Sequence, residues 1–351
     1  MLKRFKKRPP VQKAIYLLVT IFGGAVLILL LILLGLLYWM NAPAPMPGAG
    51  QYVPDDAVAW AIFHIGPVEE KTDRSGLLDY DLAGFLAHGA PPQVANLIRK
   101  GIRNPKCRIM GTASWTPGKE GLEPTLAVSL SRGPGLFHLV RRDLERRVEK
   151  NLLSTVLTYH DEKPIFVSTD NAPFNTLSFT GCSVLRATDA DAMTTLLDLP
   201  KTRKPWQLDF PTHHSNTGEL LLLNVAGGME GWQPEVFSTL PDTPNCRALQ
   251  VLAEKLASAV PELSKIERVS LTVMIGFDMD TAIDVTLRGD QEILTQAVAE
   301  RLRELLRREG AALGIIPISA KTSPNNQKID LQLRIEPKEE KNVPADAGDG
   351  P

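Results

Sequence analysis

Cysteine is scarce in this chain. Only Cys107, Cys182 and Cys246 occur in 351 residues, widely spaced and with no CxxC. That spacing gives no support to a zinc knuckle or a thioredoxin-like redox motif. One disulfide with one leftover thiol fits an oxidising compartment, and three buried, unpaired thiols fit equally well. Catalytic signatures are missing too: there is no GxSxG, no HExxH and no glycine-rich phosphate loop. No Asn-X-Ser/Thr acceptor occurs, which fits a bacterial periplasm better than a eukaryotic surface. The most informative absence is charge: none falls between Ala14 and Met40.

That run, AIYLLVTIFGGAVLILLLILLGLLYWM, is long enough as a helix to cross a hydrocarbon core about 30 Å thick. A tail of residues 1–13 precedes it, with Lys3, Arg4, Lys6, Lys7, Arg8 and Lys13 and no acid. Residues 41–55 on the other side hold no Lys or Arg. The positive-inside bias therefore predicts an N-terminus in the cytoplasm and a C-terminal body outside, anchored in the inner membrane. A cleaved signal has an apolar region of only about 7–15 residues. Pro45 also follows the small-residue triplet Ala42-Pro43-Ala44 where a cut would fall, so the reading is an uncleaved signal anchor. Tyr38 and Trp39 stand at its outer end, where amphipathic rings favour the interface. The glycines of the span form no GxxxG, so they give helix dimerisation no specific support.

Beyond the tail there are 33 basic and 40 acidic residues, a net charge of −7. A mildly acidic body lacks the clustered basic face of a nucleic-acid binder. Residues 41–54, rich in Pro, Gly and Ala, read as a semi-extended spacer. Strands are predicted at 57–65, 107–115, 125–131, 156–159, 164–168 and 176–188. A helical or loop region covers 76–103, an amphipathic helix 136–153, and a short helix opens at Asp189-Ala-Asp191. Together these make a first half over 55–200. A polar junction follows at 201–217. The second half, 218–336, has strands at 219–226, 267–277, 281–287, 315–321 and 328–335, with helices at 246–259 and 291–309. Residues 337–351 cannot bury a core and read as disordered.

TLAVSLSRGPGLFHLVRRDLERRV and AIDVTLRGDQEILTQAVAERLREL read alike, as strand, Arg-Gly and amphipathic helix. Arg132-Gly133 and Arg288-Gly289 correspond at an offset of 156 residues. Both halves then read β-α-β-β-α-β-β. A repeat this long suggests a duplicated unit rather than a solenoid. The fold class expected is α+β: one transmembrane helix, then a duplicated antiparallel sheet with helices on one face. The stretch Pro54-Asp55-Asp56-Ala57-Val58-Ala59, with this alternation of strands and glycine-broken helices, resembles a group of uncharacterised bacterial membrane-anchored extracytoplasmic proteins. The resemblance spans 52–336. It implies an envelope location, and it brings no catalytic residues with it.

Candidate side chains are few. Adjacent His213-His214 alternate faces in a strand and suit a solvated linker better than a metal. His64 ends an apolar strand and His138 lies on an amphipathic helix, where histidines mostly pack. His160-Asp161-Glu162 offers an acid and a base between two strands, which a solvated turn also explains. Asp278 and Asp280 lack the Gly and Glu of a calcium loop. Asp189 and Asp191 suit helix capping. Trp206, Phe210, Trp232 and Phe237 are either plugs sealing a core or contacts for a partner. No catalytic, cofactor-binding or metal-ligating residue is assigned, and no cofactor is expected. The expected function is a membrane-anchored, non-catalytic binding or scaffold protein of the cell envelope. An anchored binder of lipid or another apolar ligand, held between sheet and helices, is the second reading. A hydrolase with dispersed residues is the third.

Overall fold

The computed structural model describes residues 27–335 except 28, 49, 67–85, 87–89, 105, 119–120, 169–173, 203–218, 229–243, 277–280, 290–291 and 324–326. It is an α+β protein built on one antiparallel sheet. The twelve strands run in the order β11-β12-β10-β9-β8-β1-β2-β3-β7-β6-β5-β4. Strand β1 (Ala59–Ile65) lies near the middle, paired with β2 (Ile109–Pro117) on one side and β8 (Glu219–Gly228) on the other.

The first half continues through β3 (Leu122–Leu130), β4 (Thr155–His160), β5 (Lys163–Ser168), β6 (Thr176–Thr180) and β7 (Ser183–Ala187). The single strand expected over 176–188 is therefore two. Gly181 takes φ 56 and reverses the chain, so Cys182 falls in a tight turn. The first half accordingly has two more strands than β-α-β-β-α-β-β and a third helix. The second half keeps that order, with β9 (Ile266–Gly276), β10 (Thr281–Gly289), β11 (Ile315–Thr322) and β12 (Lys328–Ile335). In space, the β6–β7 hairpin stands beside β3 as the β11–β12 hairpin stands beside β10, and β4–β5 is the addition.

Six α-helices are described. Helix α1 covers residues 29–41. Helix α2 is Pro92–Arg103, opened by a proline whose missing N–H costs nothing at a first turn. Its apolar stripe Val94, Leu97, Ile98 and Ile102 is buried. Helix α3 is Pro134–Glu149, α4 Ala190–Thr202, α5 Pro244–Ala259 and α6 Gln296–Glu309. The Thr295 hydroxyl accepts the Val298 N–H and sets the start of α6, five residues later than the periodicity suggests.

The helices do not all lie on one face. Phe63, Ile109, Val128 and Leu130 share a core with residues of α2 and α3. The register carries that face from Phe63 to Leu223 and Val273, and so along β9 to Val269, which packs with α5 and α6. Helix α4 covers the opposite face, packing Met193, Leu196 and Leu197 on Ala127, Ile165, Leu185 and Ala187. The sequence conceals this because strands buried on both faces lose their alternation.

The two Arg-Gly pairs do different jobs. Gly133 takes φ 91 as the N-cap of α3, immediately before Pro134. Gly289 sits where the β9–β10 register shifts, and α6 begins seven residues later.

The stretch 41–54 is docked rather than free. Pro43 bridges Arg132, the Ala44 N–H donates to the Ser131 carbonyl at 2.8 Å, and the Gly133 N–H donates to the Ala42 carbonyl at 3.1 Å. Tyr52 and Val53 are buried, and Tyr52 joins the core under α4. Backbone hydrogen bonds to residues 131–133 and the burial of Tyr52 and Val53 hold this segment, which composition alone hides.

Of the apolar run 14–40, residues 14–26 and 28 lie outside the described residues, as do the basic tail 1–13, most of the junction 201–217 and the tail 337–351. Among the described residues no helix is long and apolar enough to cross a membrane. Helix α1 nonetheless exposes leucines all round, Leu29 at 68% and Leu34 at 52%.

Candidate functional site

The densest polar cluster joins the β4–β5 hairpin to the end of α4. Two residues, Asp161 and Glu162, connect the strands, and both take positive φ, 46° and 63°. That is the conformation a two-residue hairpin needs to match strand twist, and glycine or asparagine usually supplies it. Here the neighbouring contacts hold it instead. Lys201 Nζ lies 2.5 Å from Asp161 Oδ2 and 2.6 Å from Asp198 Oδ1. His160 Nε2 lies 3.0 Å from the same Asp198 oxygen. The hydrogen bond from Lys201, then that from His160, holds the Asp198 carboxyl down to about 2. Lys201 also depresses Asp161 and is itself raised by the two carboxylates.

His160, Asp161 and Asp198 bring ligand atoms within 4.8 Å of one another, the separation a metal would need. The Lys201 ammonium already supplies the positive charge there, bonded to both carboxylates. With the lysine in place the cluster is a clamp between hairpin and helix. The carboxylate oxygens that would accept a proton from a substrate are engaged by Lys201 and His160, which ties them to the clamp.

A second polar region, a cleft of about 430 Å³, is lined by Asp56, Glu123, Asp189 and Asp191 with Thr116 and Thr195. Asp189 Oδ1 accepts the Ala192 N–H at 2.8 Å, the cap expected at the start of α4. Among the described residues these carboxylates do not converge to metal-binding distance.

Buried hydroxyls form a third feature. Ser114 and Thr125 meet at 2.5 Å and Ser129 and Ser183 at 2.6 Å, on neighbouring strands of the face that α4 covers. Tyr52 bonds Ser183, and burial raises its phenol. Each hydroxyl here has a hydroxyl partner, so they satisfy one another in the core as buried polar groups must.

The other sequence candidates scatter. His64 sits on β1, where burial, then the Arg108 charge, lowers its imidazole below the ordinary value. His138 is on α3 with its ring 5.8 Å from that of Trp39. Cys107 and Cys182 are buried free thiols, so the bridge left open by the sequence is not formed between them. Burial pushes Cys182 up to about 11. His213, His214, Trp206, Phe210, Trp232, Phe237, Asp278 and Asp280 lie outside the described residues. Sequence reading missed the partnership of Asp198 and Lys201 with the hairpin. Their i, i+3 spacing was visible, but no pattern bridged the separation of 40 between Asp161 and Lys201.

No protein family, curated protein or solved structure matches this chain.

Proposed function

We propose that this chain is a single-pass inner-membrane protein with a cytoplasmic N-terminus. Its α+β body stands outside the membrane as a non-catalytic binding or scaffold unit of the cell envelope. The observation that carries the reading is the junction between α1 and the body. Leucines around the whole circumference of α1 are exposed, which in water is unfavourable and in hydrocarbon is not. The residues after it pair with the link between β3 and α3 instead of hanging free. The apolar helix thus leaves the body in a fixed direction, as a scaffold held at a set height above a bilayer requires. The charge-free run 14–40 and the six basic residues before it support the topology. The lack of catalytic motifs in the sequence motivates the non-catalytic part.

The body is read as a duplicated unit. The paths β1-α2-β2-β3-α3 and β8-α5-β9-β10-α6 match in order and in sheet position. The paired registers bring the helix-covered faces into phase when Leu130 is set on Leu287 and Ile109 on Val269. That alignment is one residue away from the Arg-Gly match.

Two reporter fusions at the C-terminus test the anchor, one enzyme active only outside the membrane and one only in the cytoplasm. Activity of the first alone, with the protein retained in carbonate-washed membranes, is the expected result. Activity of the second overturns the topology. In-cell crosslinking, repeated after residues 1–40 are replaced by an unrelated anchor, tests the scaffold. A discrete envelope protein recovered with both chains is expected, and recovery of none with either refutes it.

A further inference from the structure

The two helix-covered cores are filled differently. The first buries five aromatic rings, Phe63, Trp115, Phe137, Phe166 and Phe179. One of them, Phe63, lies so closely over Gly111 that no side chain could stand there. Among the described residues, the second core contains only Leu, Ile, Val and Ala. Helices α5 and α6 span a comparable stretch of sheet with smaller side chains, and a space remains beneath them. That cavity measures about 170 Å³ and is partly open. Leu252 and Leu256 of α5, Leu302 and Leu306 of α6, and Val269 and Leu331 of the sheet form its main walls. Every described residue lining it is aliphatic.

Protein interiors rarely leave voids larger than a water molecule. A water needs two to four polar partners, and these walls offer no polar side chain. A dry apolar cavity of about 150 Å³ accepts a molecule the size of benzene. From the aliphatic walls, the volume and the opening, we infer that this cavity is a binding site for the terminal hydrocarbon segment of one acyl chain, with the remainder of the lipid outside. An alkyl chain suits the opening better than a compact ring, because it can continue through it. The described walls provide no side chain to bond a ring hydroxyl or a headgroup, so selectivity is for chain and not for head. The inference rests on the cavity alone and stands or falls separately from the topology.

Melting of the full-length protein in a detergent-free amphipathic polymer tests it, with dodecanoate and benzene as probes. Two variants, Ala253→Leu and Val269→Leu, put extra methyl groups into the same space from a helix and from a strand. The expected result for the native chain is a saturable rise in Tm of about 5–10 °C at a hundredfold excess over Kd. Either variant that folds should lose that response. Equal shifts in native and variant proteins would show nonspecific surfactant binding and overturn the site. A response to benzene without one to dodecanoate would overturn the acyl occupant. No response to either probe would overturn both.

Discussion

The indole of Trp39 lies against Gly135, in the first turn of α3, so closely that a Cβ on that glycine would come within 2.8 Å of the ring. The same indole tilts against His138 one turn along. This contact fixes where α1 meets the body. A methyl at Gly135 must displace either the ring or the backbone at Met40, 3.2 Å from the same point. Gly135→Val is expected to release the segment around 42–44 and to cost about 1–3 kcal/mol, the range for overpacking. Faster proteolysis within 41–54 and a red-shifted tryptophan emission would check it. Unchanged cleavage would mean that the backbone pairing at Pro43 and Arg132 holds the junction unaided.

Gly111 carries a harsher constraint. A Cβ there would fall 1.6 Å from the Phe63 ring, in the middle of the aromatic core. Gly111→Ala is expected to destabilise by about 3 kcal/mol and to lower Tm by several degrees. The double variant with Phe63→Leu should recover part of the loss, because it removes the clashing ring. Thermal melts of the three variants make the comparison.

Asp198 gives a pH prediction. Its carboxyl is depressed to about 2, with Lys201 the larger cause and His160 the second. The sign follows from the ionised form being favoured in the fold: the clamp is fully present above the ordinary carboxylate range and is lost as pH falls toward 2. Lys201→Met removes the larger cause, so the Asp198 midpoint should rise toward about 3.9. Carboxyl-detected NMR titration reads this directly. A midpoint that stays near 2 in the variant would refute the lysine's role.

The thiols supply another test. Cys107 and Cys182 are free and buried, and burial, then the neighbouring Cys107, holds the Cys182 thiol up to about 11. Alkylation needs thiolate and access. Neither cysteine should react with iodoacetamide at pH 8 in the folded protein, and both should react in denaturant. Mass spectrometry of the two states distinguishes this from a bridge, which would block both positions under either condition.

Much of the architecture was legible because periodicity survives where one face is wet. Helix α3, helix α5 and the closing β11–β12 hairpin fall within a few residues of their sequence patterns. The split of 176–188 was not legible, because β6 and β7 are buried on both faces, so no alternation marks where one strand ends and the next begins. Gly181 was the signal available there, as a turn inside a strand-like run. The docking of 41–54 was concealed for another reason: its few apolar residues have no period, and their partners lie more than eighty residues away.

The sequence by itself determined the charge-free apolar run, the basic tail before it, the α+β alternation and the absence of catalytic signatures. These follow from local chemistry: chain length, charge and the spacing of apolar residues. Tertiary structure alone decided that the two halves share one sheet through the pairing of β1 with β8. It also put α4 on the opposite face and brought Lys201 to Asp161. Above all, it decided that one core is filled with rings while the other keeps a space. Cavities and clamps depend on how distant surfaces meet, and no stretch of chain carries that information alone.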